Sequence, residues 1–235
     1  MEPFVHCPLD LSKDEIRLAR VTLPAPEIEE QRQEPVRIVL ETFDRRTSPS
    51  YSALSYTWGP PSPSHGIVAN DRPFTIRNNL YCFLRRLASG SIRYPATEND
   101  STIERHPGPN GPNHEENAPL SPVYLWIDQL CIDQDSTTEK SSQVSKMTEI
   151  FMEAKEVIVW LGEEQDDSNF AMRCITQIPR AYKPWTIVKP DNNIPATVKM
   201  RARSSTTQVP LEEVVRSIQT LMNRPYWNRV WVAQE

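Results

Sequence analysis

Residues 123–132 read VYLWIDQLCI, and residues 157–161 read VIVWL, closed by Gly162. Both stretches have the length and apolar content of strands buried on two faces. Between them, Ser136 and Glu139 stand at capping-box spacing, which marks a helix start. Val144, Met147, Ile150, Phe151 and Ala154 then recur on one helical face. Strand, helix and strand within 39 residues make a βαβ unit, which implies a parallel sheet with a right-handed crossover. The class read from this segment is α/β, a parallel sheet flanked by helices.

Upstream, Glu15–Leu23 alternates apolar Ile16, Leu18 and Val21 with charge, and Val36–Phe43 has a similar pattern. A proline- and glutamate-rich connection between them is expected to be mobile. Tyr51–Trp58 reads as a third strand, ended by Gly59, Pro60, Pro61 and Pro63. Residues 67–76 read as a hairpin around Asn70-Asp71, completing an N-terminal β-rich extension. Asn78 can cap a helix whose Leu80, Phe83, Leu84 and Leu87 share one face, with a stop near Ser89-Gly90. Residues 91–122 hold six prolines and almost nothing apolar, and are expected to form a disordered surface insertion.

Downstream, residues 169–178 suit a short helix, and residues 179–210 give no clear pattern. Leu211, Val214, Val215, Ile218, Leu221 and Met222 line an amphipathic helix over 211–222. Pro225 suits the first turn of a last helix carrying Tyr226, Trp227, Val230 and Trp231. The sequence stops inside that helix at Glu235, so a truncated chain is expected. The organisation read here is a tail over 1–14 and one domain over 15–235.

Composition narrows the function. Proline makes up 22 of 235 residues and glycine only 6. Neither G-x-G-x-x-G nor G-x-x-x-x-G-K-[ST] occurs, so neither glycine-built phosphate cradle is available. A net charge of −5 argues against a general nucleic-acid binder, which needs a dense basic surface. The first residues, MEPFVHCPLD, lack the basic and apolar regions of a secretory signal, and no apolar run is long enough to span a bilayer. Cys7, Cys82, Cys131 and Cys174 are dispersed and form no C-x-x-C, which suggests buried free thiols in a reducing compartment. No histidine sits in a zinc spacing. The expectation is a cytoplasmic chain with no metal and no prosthetic group.

Three blocks carry a resemblance. YSALSYTWG (51–59), LWIDQLCIDQ with EKSSQVSKMTEIFMEAKEVIVWLG (125–162), and RPYWNRVWVAQE (224–235) resemble, in order and spacing, the fungal heterokaryon-incompatibility (HET) domain. Asp133 stands where that family often has Asn. The resemblance implies a role in non-self recognition and programmed cell death after cell fusion. It also implies partners of two kinds, further copies of the same chain or another incompatibility or NLR-type protein.

The motif order further resembles the Toll/interleukin-receptor (TIR) domain, whose fold is flavodoxin-like. On that likeness Tyr51–Trp58, Val123–Ile127 and Val157–Leu161 correspond to its first three strands. The run from Trp231 to Glu235 resembles the W-x-x-x-E arrangement of TIR domains that hydrolyse NAD, where the glutamate is catalytic. Glu235 is thereby implied as a catalytic residue, with NAD as substrate.

Chemistry is compatible with that role. Breaking the nicotinamide–ribose bond develops an oxocarbenium-like cation that a carboxylate can stabilise. Trp231 and Glu235 are four apart and share a helix face. In open α/β sheets ligands bind beyond the carboxyl ends of the strands. Those ends carry Ser55, Tyr56, Trp58, Gly59 and Asp128. A ring can stack on Trp58, and Asp128 can accept from a ribose hydroxyl. Structural alternatives stand beside these roles: Trp227 and Trp231 as core, Tyr56 and Trp58 as packing at the sheet end, Asp128 as a cap, Glu235 as a solvated residue. The competing functional reading is a non-catalytic adaptor that self-associates.

Overall fold

The structure, a computed structural model, describes residues 2–21, 35–89, 123–177, 187–188, 197–201 and 206–229. These divide into a unit running up to Trp160 and a second beginning at Leu161. The mobile connection, the disordered insertion and the last helix beyond Arg229, all expected from sequence, lie outside the described residues.

The first unit is built on one seven-stranded sheet. Its strands are β1 (Glu15–Val21), β2 (Arg37–Asp44), β3 (Ser52–Tyr56), β4 (Ser64–Ala69), β5 (Arg72–Arg77), β6 (Val123–Trp126) and β7 (Glu156–Trp160). They lie in the order β5-β4-β2-β1-β6-β3-β7. β6, β3 and β7 are mutually parallel, so the parallel pairing inferred from VYLW and VIVWL holds, with β3 inserted between the two strands. The sheet as a whole is mixed. β1 is antiparallel to both β2 and β6, and β4–β5 is an antiparallel hairpin. The N-terminal strands are therefore continuous with the parallel part and form no separate extension.

Local chemistry explains the hairpin. Asn70 and Asp71 have φ of 46° and 61°, the positive pair that a two-residue turn needs. Asn70 also accepts from the Leu40 amide (2.7 Å) and donates to the Leu40 carbonyl (3.0 Å), completing the edge of β2 with its side chain.

Helices cover both faces. α1 (Asn78–Ala88) buries Leu80, Phe83, Leu84 and Leu87, the stripe read from sequence. Each such side chain contributes roughly 1.5–3 kcal/mol on burial. The cap differs from expectation: the N-cap position is Arg77, without a side-chain bond, and Asn78 instead meets His65 Nε2 at 2.8 Å. α3 (Thr137–Ser145) and α4 (Met147–Glu153) replace the single helix expected between β6 and β7, interrupted at Lys146. α4 buries Met147, Ile150 and Phe151. Phe151 meets Trp126 edge-on at 5.5 Å, whereas Phe83 of α1 meets Trp160 at 5.7 Å. Trp126 is in register with Ala53, and Trp160 with Tyr56, three residues on. Side chains alternate along a strand, so the two tryptophans point to opposite faces.

The strand expected at Val123–Ile127 ends at Trp126, and in place of the loop expected from Asp128, Asp128–Cys131 forms a one-turn helix, α2. Behind it lies a fully buried ion pair. Arg17 on β1 and Glu139 on α3 are 2% and 3% exposed and meet at 2.8 Å. Arg17 also donates to the carbonyls of Cys131 (2.7 Å) and Cys7 (2.6 Å). Glu139 accepts from the amides of Asp133 (2.7 Å) and Leu9 (3.3 Å). The capping box is half realised: Ser136 Oγ accepts from the Glu139 amide at 3.3 Å, while the glutamate carboxylate turns inward to Arg17. Residues 2–14, read from sequence as a tail, lie across this region. His6 Nε2 donates to the Leu130 carbonyl at 2.8 Å, and Phe4 packs edge-on against His6 and Phe74.

The second unit contains α5 (Ser168–Gln177), three short antiparallel strands, β8 (Ile187–Val188), β9 (Thr197–Arg201) and β10 (Thr206–Pro210), and α6 (Leu211–Met222). Phe170, Cys174, Val209, Leu211, Val214 and Ile218 pack together. Val215 and Met222, expected on the apolar face of α6, are 43% and 48% exposed. Pro225 opens a 3₁₀ turn, Pro225–Asn228. Arg224 is 7% exposed and donates to the carbonyls of Leu161 and Gln165. Among the described residues no helix is long and apolar enough to cross a membrane.

Removing one partner of a buried pair strands the other charge, at a cost of about 3–5 kcal/mol. Arg17→Met or Glu139→Gln is expected to lose that much in denaturant unfolding. Burial pushes the Glu139 carboxyl up, but hydrogen bonds from Arg17 and the Asp133 amide outweigh it and hold the group below its ordinary 4.5. Its contribution is thus present above that value and lost as pH falls below it. The melting temperature of Glu139→Gln should depend less on pH in the acid range than that of the parent.

Candidate functional site

The carboxyl ends of β3, β6 and β7 converge where the sequence places its candidate residues. After Tyr56 the chain turns through Thr57, Trp58 and Gly59. Gly59 has φ of 72°, a conformation that side-chain-bearing residues rarely adopt. This turn is clamped by two nearby residues at the β5–α1 junction. Arg77 donates to the Gly59 carbonyl at 2.7 Å, and its guanidinium lies 5.0 Å from the centre of the Trp58 ring. Asn79 donates to the Thr57 carbonyl at 2.6 Å and accepts from Trp160 Nε1 at 2.9 Å.

Asp128 occupies the first position of α2. One carboxylate oxygen accepts from Trp58 Nε1 at 2.7 Å, the other from the Gln129 amide at 2.7 Å. Its carbonyl accepts from Gln134 Nε2 at 2.9 Å. A carboxylate at a helix start also meets the positive end of the backbone dipoles. The result is a half-buried cluster of one carboxylate (Asp128), two indoles (Trp58 and Trp160), one guanidinium (Arg77) and two amides (Asn79 and Gln134).

The structure thus brings Trp58, Gly59 and Asp128 together. Ser55 and Tyr56 lie directly behind them, 0% and 1% exposed, with the Tyr56 hydroxyl 3.4 Å from Gln129 Oε1. Trp231 and Glu235 lie outside the described residues. Arg77, Asn79, Trp160 and Gln134 join the cluster without having been singled out from sequence. Trp160 ends a recognisable strand and Asn79 opens a recognisable helix. Their meeting depends on β7 lying next to β3, which no local pattern encodes.

Both indole N–H groups are engaged inside the protein, by Asp128 and Asn79. Arg77 lies over the Trp58 ring and both Asp128 carboxylate oxygens accept hydrogen bonds, so the cluster holds its own members in place. A thiol nucleophile does not belong to it: burial pushes Cys131 up to about 12, so that it stays protonated at neutral pH. Among the described residues no group of three or more His, Cys, Asp or Glu is arranged to hold a metal ion.

A hydrogen bond to a charged group is worth about 1.5–3 kcal/mol. Asp128→Ala is expected to destabilise the chain by that amount. The Trp58 indole N–H resonance should shift in a nitrogen–proton NMR spectrum while that of Trp160 stays in place. Asn79→Ala should produce the converse pattern.

Residues 115–235 match the model of the family described as heterokaryon incompatibility protein (HET). Over 142 residues, 57% of this chain, the sequence is 34% identical to heterokaryon incompatibility protein 6, OR allele, of Neurospora crassa. The matched stretch spans 17% of that relative's length. No solved structure matches the chain.

Proposed function

The chain belongs to the heterokaryon-incompatibility family, and on that footing we propose that it is an effector module of fungal non-self recognition and cell death that cleaves the nicotinamide–ribose bond of NAD. The observation that carries this reading is the cluster at the ends of β3, β6 and β7, where Asp128 is held between Trp58 and the start of α2. That position is where open α/β sheets take their ligands. The relative's name supports the incompatibility role.

In the proposed reaction the nicotinamide ring lies against the indole face of Trp58. The sugar hydroxyls face Asp128, with Ser55, Tyr56 and Gly59 forming the wall behind. As the bond to the ring breaks, positive charge develops on the ribose and is stabilised by a carboxylate. Glu235 takes that role and Asp128 positions the sugar. Nicotinamide departs neutral with the bonding pair, so no general acid is required, and water adds to the ribosyl cation and gives up a proton to complete the hydrolysis.

Nicotinamide release from NAD by the purified chain at high concentration tests the reading, with Glu235→Gln run alongside. Release by the parent with a loss of about a hundredfold or more in the variant is expected. Equal release by both would remove Glu235 from the reaction. No release at any concentration would favour a second reading, a non-catalytic module that signals by self-association. That reading has its own support in Val159, which is 48% exposed on the outermost strand β7.

A further inference from the structure

The two edges of the seven-stranded sheet are built differently. At the β5 edge, Pro73 lacks an N–H, Arg72 and Arg77 bound the strand, and the Phe4 amide already donates to the Pro73 carbonyl at 2.9 Å. Proline, charge and a covering segment are the usual protections against unwanted strand pairing. β7, with the sequence EVIVW, has no proline, and its one charge, Glu156, stands at the first position of the strand. Its five residues pair with β3 in an unbroken register from Glu156 to Trp160. Among the described residues its other edge pairs with no strand. Such an edge accepts an extended segment and little else, because a row of backbone donors and acceptors must be met in register.

We propose that this edge pairs with the same edge of a second copy, antiparallel, joining the two sheets into one. The proposal rests on the self-association reading above. The strand is its own complement. A two-fold axis at Ile158 sets Val157 opposite Val159 and Glu156 opposite Trp160, so β-branched residues meet and no like charges are opposed. Such an isologous contact uses up both free edges and closes at two copies. A five-residue strand pair buries little area, so the dimer is weak and forms as the local concentration rises.

Sedimentation velocity of the intact chain over a wide concentration range tests this, with Val159→Lys and Met152→Lys alongside. Met152 is 80% exposed on α4 and serves as the control for an added surface lysine. The parent and Met152→Lys are expected to dimerise alike. Val159→Lys, placed twice in the interface, should weaken the dimer about tenfold. Far-UV circular dichroism of both variants establishes that they fold.

The register has a separate test. Ile158→Cys in a Cys7→Ser background should give a disulfide-linked dimer under mild oxidation, because residues facing across a strand pair have the required separation. Dimerisation that Val159→Lys leaves intact, with no Ile158→Cys cross-link, would overturn the edge while keeping self-association. A chain that stays monomeric throughout would overturn both.

Discussion

The buried pair between Arg17 and Glu139 is the constraint around which the first unit is arranged. Two opposite charges 2.8 Å apart, each almost wholly shielded from water, are tolerable only when their remaining donors and acceptors are met. Backbone groups from two segments meet them: the Cys7 carbonyl and Leu9 amide near the N-terminus, and the Cys131 carbonyl and Asp133 amide after β6. The N-terminal residues, the loop after β6 and the start of α3 are thereby fixed to β1. Because α2 lies inside that loop, the same pair sets the height at which Asp128 emerges beside the end of β3.

From that anchored loop the candidate cluster follows by short steps. Asp128 fixes the Trp58 indole, Arg77 covers the ring and holds Gly59, and Asn79 ties the Thr57 carbonyl to Trp160. Each polar side chain has a partner from a different element, so the ends of three parallel strands are locked together. Such preorganisation is what a binding site needs, since groups already oriented lose little entropy when a ligand arrives. The opposite edge of the sheet is closed by proline and arginine, which leaves the parallel half of the sheet with both the candidate cluster and the edge strand.

Several features were legible in the sequence because they depend on neighbours a few residues away. The stripe Leu80, Phe83, Leu84 and Leu87 follows from helical periodicity alone. The turn at Asn70-Asp71 follows from the tolerance of those residues for positive φ, and the start of α3 from Ser136 three positions before Glu139. Where local pattern misled, a tertiary contact outweighed it. Val215 and Met222 complete an apolar stripe on paper, yet α6 turns Val214, Ser217 and Leu221 inward. The apolar start at Val123 ran on past Trp126 in the sequence, while the chain folds into one helical turn at Asp128.

By itself, then, the sequence determined an α/β chain with parallel VYLW and VIVWL strands, and it placed Trp58, Gly59 and Asp128 at strand ends. Only the tertiary structure decided that β3 lies between β6 and β7, that the sheet is mixed, and that Glu139 turns from its own helix to Arg17. It alone joined Asn79 to Trp160 and Trp58 to Asp128. Those partners are separated by 122, 81 and 70 residues. Periodicity fixes which way a side chain faces relative to its own element. Which other element it meets depends on strand order, and strand order is set by the packing of the whole sheet.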